Sequence, residues 1–298
     1  MTSALVLGSV LPDIDIVLVP TGFDRYLYAH AAGTHAVAGT IVGALLLAAV
    51  LRRLVKGSRF LILLIAGWAG TVGHVLADLA DGSDIGVFEP LSPSVFGWHL
   101  FSMGDPFVLC GLAVAALAAV MWPRHSRRVA IGTVAALLAF AWAKHESQQK
   151  AFAWYVASMK PNVGDRIEIA PQVGVFDWMI YDRAGDDVRG WNINARTGGL
   201  SLAFQLHDVA DEHAAALSRQ FPVVRAFLAA STLPFARVDS DGSHWLILWS
   251  DARKCSAAGC DVSFGGAFDG ANVPLYQVIR VGGFTVTRPL PSVRLPPR

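Results

Sequence analysis

Four long apolar runs in the first half of the chain constrain its fold more than any other feature. They are THAVAGTIVGALLLAAVL (34–51), FLILLIAGWAGTVGHVLADL (60–79), PFVLCGLAVAALAAVMW (106–122) and VAIGTVAALLAFAWA (129–143). A membrane-spanning helix needs about 20 mostly apolar residues, so the first three have a suitable length and the fourth is short. Only 16% of the residues are charged, against about 25% in a typical soluble domain. These runs predict an integral membrane protein.

The opening run, MTSALVLGSVL, is too short to cross a bilayer and has neither the basic segment nor the cleavage site of a signal peptide. One interpretation is that it is the end of a helix that begins upstream. The predicted fold is therefore an α-helical membrane bundle with about four spans and a partial N-terminal one, followed by a small, mostly-β extracytoplasmic domain. We place the transmembrane domain at residues 1–150 and the soluble domain at 165–298.

Basic residues in the short loops predict the orientation of the bundle, since such loops stay in the cytoplasm. They occur between the first two strong spans and between the last two: Arg52, Arg53, Lys56, Arg59, Arg124, Arg127 and Arg128. The opposite helix ends and everything after residue 143 then face outward. We expect the chain to lie in a bacterial inner membrane.

The second half of the chain has a different pattern. Short runs rich in β-branched and aromatic residues are separated by Gly, Asp and Asn, with one amphipathic helix predicted around residues 211–229. Cys255 and Cys260 are close enough in sequence to form a disulfide, which persists outside the cytoplasm. The tryptophans are expected in the core rather than on the bilayer: Trp178, Trp191, Trp245 and Trp249. We expect Asp251 and Arg253 to form a local charge pair.

Ionisable side chains collect at the predicted outer ends of the apolar runs, where they are costly and therefore indicate function. Imidazole nitrogens with carboxylate oxygens suit zinc or a similar divalent metal ion. The candidate metal ligands are Asp13, Asp15, His30, His35, His74, Asp78 and His145. His74 and Asp78 are four residues apart and so share one helix face. Glu146 and Asp81 are candidate catalytic general bases.

Asp13 and Asp15 allow two arrangements. They bridge two ions, or one ligates while the other orients a histidine. The plainer interpretations are a helix stop with solvated acids at LPDID, and an ordinary hydrogen-bonded pair at His74 and Asp78. His99 is expected to be interfacial rather than a ligand. The placement of the whole set on one side of the membrane favours a metal site.

The segments that carry these residues resemble the YdjM-like family of predicted membrane-bound metal-dependent hydrolases. They are LGSVLPDIDIV, HAAGTHAVAG, GHVLADLADGSDIGVFEPLSP and MGDPF. AKHESQQKAF and FDWMIYDRAGDDVRGWNINARTGGLS are similar to later parts of that family, which is distantly similar to zinc-dependent phospholipase C. The resemblance implies metal positions at Asp13, Asp15, His30, His35, His74 and Asp78.

The chain departs from the family pattern beside these positions. Ala31 stands where the family has Arg, and Ala36 and Gly73 stand where it has Ser. A missing Arg removes a fixed bidentate clamp for anions. The substrate is therefore the least determined part of the prediction.

Two functions are predicted. The first is a membrane-bound metal-dependent hydrolase that acts at the outer membrane face, on an ester or phosphoester of an amphiphilic substrate such as a lipid. The alternative is a non-enzymatic membrane protein with a structural metal site and a partner-binding β domain. Transport is disfavoured because the middle of the spans lacks charged residues. A net charge of +1 gives no reason to expect nucleic-acid binding.

Overall fold

Helices form the first half of the chain and strands the second. The structure, a computed structural model, describes residues 1–22, 25–26, 29–82, 84–92, 94–102, 104–162, 165–210, 212–240, 242 and 244–290. The helices of the first half are α1 (Thr2–Val10), α2 (Val37–Leu54), α3 (Phe60–Asp81), α4 (Pro106–Met121) and α5 (Ser126–Met159). A 3-10 helix, Pro12–Thr21, and a π-helical turn, His30–Thr34, connect α1 to α2.

The helix α1 lies against α3 with almost no side chain between them. A Cβ atom built on Gly8 would lie 2.2 Å from the carbonyl oxygen of Gly67, and one built on Gly70 would lie 2.2 Å from that of Leu5. Small residues allow such close approach of helix backbones, which is a common way to pack helices in membranes. The glycines therefore determine where the end of α1, and the acids that follow it, lie relative to α3.

Three of the described helices are long and apolar enough to cross a membrane, namely α2, α3 and α5. A fourth candidate is α1 together with the 3-10 helix Pro12–Thr21, which are bent by 42° at their junction. This pair takes the place of the partial N-terminal span that the sequence predicted. The helical membrane bundle is confirmed, with three to four candidate spans.

The predicted spans at 106–122 and 129–143 differ from the structure in length. The 16 residues of α4 reach about 24 Å, less than the hydrocarbon thickness of about 30 Å. Pro123 explains the early end, because the residue before a proline disfavours helical backbone, and Trp122 has φ −123° and ψ 65°. The run at 129–143 instead belongs to the longest helix, α5, because the Ala-, Lys- and Gln-rich residues after it continue the helix.

The C-terminal part of α5 contacts both the segment that precedes α4 and the second half of the chain. Gln148 donates its side-chain amide to the backbone carbonyls of Trp98 and His99, at 3.2 and 3.1 Å. The Nζ of the buried Lys144 donates to the carbonyl of Gly174 at 2.7 Å. A single continuous helix thus connects the bundle to the domain that follows it.

The mostly-β prediction for the second half is confirmed by two main antiparallel sheets. The first has the order β1-β2-β3-β4 and the second the order β11-β10-β9-β6-β5, while β7 and β8 form a small ribbon. The strands are β1 (Ile167–Pro171), β2 (Asp177–Ala184), β3 (Asp187–Asn194), β4 (Leu200–His207), β5 (Pro234–Ser240), β6 (Trp245–Asp251), β7 (Cys255–Ser256), β8 (Gly259–Cys260), β9 (Val262–Phe268), β10 (Pro274–Val281) and β11 (Phe284–Pro289). Cys255 and Cys260 form a disulfide.

The predicted helix at 211–229 is two helices, α6 (His213–Ser218) and α7 (Pro222–Ala230). Pro222 separates them, because it holds Phe221 in extended backbone with ψ 130°. Phe221 then becomes a fully buried core residue against Phe268. Of the four tryptophans expected in the core, Trp178 and Trp249 are buried and the other two are partly buried.

Candidate metal centre

Three segments bring the predicted ligands together at one end of the bundle. Asp13 and Asp15 lie in the first turn of the 3-10 helix that Pro12 begins, where a helix terminus favours negative charge. His30 opens the π-helical turn and His35 follows it directly. The remaining pair, His74 and Asp78, comes from the last turns of α3, one turn apart as the sequence predicts.

Four donor atoms converge at this point. Nε2 of His35 lies 3.3 Å from Nε2 of His74, and these nitrogens lie 3.2 and 3.1 Å from Oδ2 of Asp78. Oδ1 of Asp13 lies 3.7 Å from His35 Nε2 and 3.5 Å from His74 Nε2. Donor atoms of a tetrahedral zinc site, each about 2.0–2.2 Å from the ion, lie about 3.3–3.6 Å from one another. The spacing therefore fits a single small divalent ion.

Asp15 contacts His30 and Thr34 rather than these four atoms. Its Oδ2 lies 3.1 Å from Nδ1 of His30 and accepts a hydrogen bond of 2.7 Å from the hydroxyl of Thr34. Only 4% of Asp15 is exposed, so its contacts are made within the protein. Of the two arrangements that the sequence left open for the paired acids, the geometry matches the one in which Asp15 orients histidine.

Thr34 determines which nitrogen of His35 carries the proton. The Thr34 hydroxyl has one proton, and its own acceptors are Asp15 and, at 3.4 Å, the carbonyl of Ala29. Its oxygen lies 3.1 Å from His35 Nδ1 and can only accept there. This arrangement favours the His35 tautomer that carries its proton on Nδ1, which leaves the lone pair of Nε2 on the side of the other donor atoms. Such an outer hydrogen bond is typical of histidines that bind metal.

Solvent reaches the cluster from one side. The side chain of His35 is 1% exposed, and those of His74 and Asp78 are 17% and 23% exposed. The side chain of Asp13 is 51% exposed. Asp13 also has the longest separations in the cluster, so the most accessible side of the centre is the one that Asp13 covers.

Of the other predicted site residues, His30 lies beside these four atoms, whereas His145, Glu146 and Asp81 are not grouped with them. His30 joins Asp13 and His35 in a second group whose ligand atoms lie within 4.8 Å of one another. His145 and Glu146 are exposed on α5, and His145 faces the ring of Trp142. Among the described residues, neither belongs to a metal-binding group. Asp81 lies on a neighbouring face of α3 and lines an apolar cavity.

Two further acids have structural roles. Asp105 caps the N-terminus of α4, because its Oδ1 accepts from the backbone amides of Phe107 and Val108. Asp84 joins the bundle to the β domain. Its side chain is 7% exposed and lies 3.2 Å from His99 Nε2 and 2.7 Å from Arg253 Nη1. His99 is therefore an interdomain residue rather than a ligand.

Arg253 forms the predicted pair with Asp251 through two hydrogen bonds of 3.0 Å, in addition to its contact with Asp84. Burial disfavours ionisation of both acids, but hydrogen bonds and the charge of Arg253 outweigh it. They hold the pKa of Asp84 well below its usual range and lower the pKa of Asp251 to about 2. The contacts of Thr34 and Asp84 were not predicted from the sequence. The role of Thr34 could have been suspected, because it directly precedes the candidate ligand His35. The role of Asp84 could not, because its partner Arg253 is far away in sequence.

Comparisons with known proteins agree with the helical half of the structure. The family model described as YdjM inner membrane protein matches residues 1–149, which contain the four converging donors. The match ends before the β domain, so the similarity of residues 176–201 to the family and the distant similarity to phospholipase C stay predictions. No match was found among curated proteins or among solved structures. The chain belongs to the YdjM inner membrane protein family.

Proposed function

We propose that this protein is a membrane-bound hydrolase that holds one divalent metal ion, zinc in the first instance, between His35, His74, Asp78 and Asp13. The observation that carries the proposal is that Nε2 of His35 and Nε2 of His74 lie 3.3 Å apart, and that a carboxylate oxygen of Asp78 and one of Asp13 each lie 3.1–3.7 Å from both nitrogens. Like charges repel and imidazole lone pairs do not attract one another, so this arrangement is stabilised best by a cation at its centre.

One ion accounts for the geometry better than two. The two groups of possible ligands, one with His30 and one with His74, share His35. Thr34 engages Nδ1 of His35, so His35 offers one nitrogen and binds one ion. His30 then lies beside the centre, held by Asp15, with its ring 4.2 Å from that of His35.

A catalytic centre needs an open position, whereas a structural site is closed by four protein ligands. His35, His74 and Asp78 form the compact set, with separations of 3.1–3.3 Å. Two histidines and a carboxylate are a known catalytic zinc set. Asp13, at 3.5–3.7 Å and half exposed, is the donor that a water molecule or substrate can replace. This asymmetry favours the hydrolase over a purely structural metal site.

The bound ion would supply Lewis-acid polarisation of an ester or phosphoryl oxygen and activation of a water molecule. The protein residues hold the reacting groups in place. Thr34 and Asp15 keep His35 and His30 in one orientation. Asp81, near the end of α3, remains our candidate general base, since the exposed Glu146 lies outside the described metal-binding groups.

The membrane position supports an amphiphilic substrate. The donors lie at the ends of apolar helices, and the basic loops of α2–α3 and α4–α5 lie at the opposite ends. By the positive-inside rule, the centre and the β domain would face the extracytoplasmic side. An ester of a lipid reaches such a position by lateral diffusion.

The test is the metal content of the detergent-purified protein, measured by elemental mass spectrometry. We expect one equivalent of metal in the wild type and in His145→Ala and His207→Ala, loss in His74→Ala, and less than one equivalent in Asp13→Ala. Metal-loaded wild type should then hydrolyse a phospholipid ester or phosphoester, and His74→Ala should not. Metal-free fresh protein, or equal metal in all five proteins, would overturn the metal centre. One tightly bound ion without turnover of any lipid ester would favour the structural alternative.

A further inference from the structure

An apolar cavity of about 700 Å³ lies between α3, α4, α5 and the segment that precedes α4. It exists because the bundle has two parts. α1, α2 and α3 pack on one another, whereas α4 packs mainly on α5 and buries none of its own residues. The space between α3 and the α4–α5 pair is lined almost entirely by apolar side chains, such as Leu112 and Leu138. Its size is in the range of ligand pockets, about 300–1,000 Å³.

The length of the cavity matches one leaflet of a bilayer. Along α3 it extends from Gly73 to Asp81, which is about 12 Å of helix. Half of the hydrocarbon core is about 15 Å. The cavity is partly open, and it lies among helices that are long and apolar enough to cross a membrane. The molecules that surround such a cavity in a membrane are lipid chains.

The cavity is adjacent to the metal centre. Gly73 and Ala77 line it, and the next residues in the chain, His74 and Asp78, belong to the centre. Successive residues of an α-helix are turned by about 100°, so the cavity and the centre occupy neighbouring faces of α3. Asp81 lies between these faces and lines the outer end of the cavity. An extended chain in the cavity therefore has its polar end beside Asp81 and Asp78.

We propose that this cavity holds one acyl chain of a phospholipid, and that the chain positions an ester or phosphoester bond of that lipid at the metal centre. The binding of the chain stands on the cavity alone, whereas the position of the bond rests on the proposed hydrolase. The lipid enters sideways from the bilayer. Selectivity then comes from chain length, since the cavity recognises no polar group along most of its length.

Binding is tested on the full chain in vesicles of phosphatidylethanolamine and phosphatidylglycerol. A small fraction of the phosphatidylethanolamine carries a photoreactive diazirine in its acyl chain, and labelled positions are mapped by mass spectrometry after irradiation. We expect Leu112 and Leu138 to be labelled several-fold more than Leu117 and Ile131. All four are exposed apolar residues of the same two helices, but only Leu112 and Leu138 line the cavity. Equal labelling of all four would overturn the proposal.

Substitutions separate the lipid site from the catalytic centre. Leu112→Trp should fill the cavity and lower the labelling of Leu138 several-fold, whereas Leu117→Trp should not. Leu138→Trp, with labelling read at Leu112, serves as the second variant. Turnover is then compared for a long-chain and a short-chain lipid that share the same headgroup. Leu112→Trp should raise KM for the long-chain lipid and lower the ratio of long-chain to short-chain turnover.

The outcomes distinguish the two proposals. Cavity-specific labelling without turnover of either lipid by wild type would leave the acyl-chain site in place and refute the hydrolase. Turnover with no dependence on chain length, together with uniform labelling, would leave the hydrolase in place and refute the acyl-chain site.

Discussion

Thr34 and His35 are neighbours in sequence, and the hydroxyl oxygen of the first lies 3.1 Å from Nδ1 of the second. Because Thr34 gives its own proton to Asp15 or to Ala29, His35 must donate to it. This contact leaves only Nε2 of His35 free to bind the proposed metal ion. Thr34 thus connects the buried Asp15 to His35, because it hydrogen-bonds to both.

Thr34→Val is expected to weaken metal binding without removing a ligand. Loss of such an outer hydrogen bond lowers metal affinity by about 10–100-fold. Competition with a calibrated chelator measures the affinity of detergent-purified protein. Thr34→Ser keeps the hydroxyl and is the matched control, so a weakened Thr34→Ser would contradict the role assigned to the hydroxyl.

The paired acids are expected to behave differently when each is changed to the amide. Asp13→Asn removes a carboxylate from the cluster, and should lose the metal or bind it in less than stoichiometric amounts. Asp15→Asn should keep one equivalent of metal with lower affinity, because it disturbs the orientation of His30 and Thr34 only. Metal content and chelator competition on the same samples check both. Identical losses would mean that both acids ligate.

The close contact of α1 with α3 predicts a metal defect from residues that touch no ligand. Gly70→Ala places a Cβ atom 2.2 Å from the carbonyl of Leu5, whereas a Cβ at Gly73 meets no other atom within 4 Å. Overpacking of this kind costs about 1–3 kcal/mol. Gly70→Ala should therefore lower Tm and metal affinity, since α1 leads directly into the 3-10 helix that contains Asp13. Gly73→Ala is the control on the same helix and should resemble wild type.

The ion pair between Asp84 and Arg253 is expected to stabilise the packing of the β domain on the bundle. Asp84 and Arg253 are 7% and 11% exposed, and removal of one partner from a buried ion pair costs about 3–5 kcal/mol. Asp84→Asn should increase hydrogen exchange and protease cleavage between the two halves. Asp239→Asn is the control, because Asp239 pairs with Arg280 through a side chain that is 39% exposed. Such exposed pairs contribute only about 0–1 kcal/mol, so this variant should resemble the wild type.

The same pair predicts loss of stability in acid. The pKa of Asp84 is held well below its usual range and that of Asp251 is about 2 in the folded protein, against about 3.9 for an unfolded aspartate. The folded state thus binds fewer protons, so this stability is present above about pH 4 and falls as pH decreases towards 2. Burial raises the pKa of Glu168, which opposes the trend. Urea unfolding between pH 5 and 2 should show a shallower dependence in Asp84→Asn than in wild type.

Local spacing was sufficient to predict parts of the fold and of the candidate centre. His74 and Asp78 share a helix face because the α-helix repeats every 3.6 residues. The mostly-β second half followed from short runs between turn residues, and the disulfide from the short spacing of Cys255 and Cys260. Each of these depends on residues that are close in the chain.

Tertiary structure decided what depends on distant residues. Asp13 and Asp15 are equivalent in the sequence, and only the approach of α3 and of Thr34 makes one face the donor cluster and the other face His30. His145 was predicted as a ligand from its place after the last apolar run, but the direction of α5 leaves it exposed and outside the described metal-binding groups. The pairing of Asp84 with Arg253 depends on how the β domain packs on the bundle. The separation of α4 from α3 depends on the packing of α4 on α5. Local patterns determine which face of an element a residue lies on, whereas the element that this face meets is determined by packing across the entire chain.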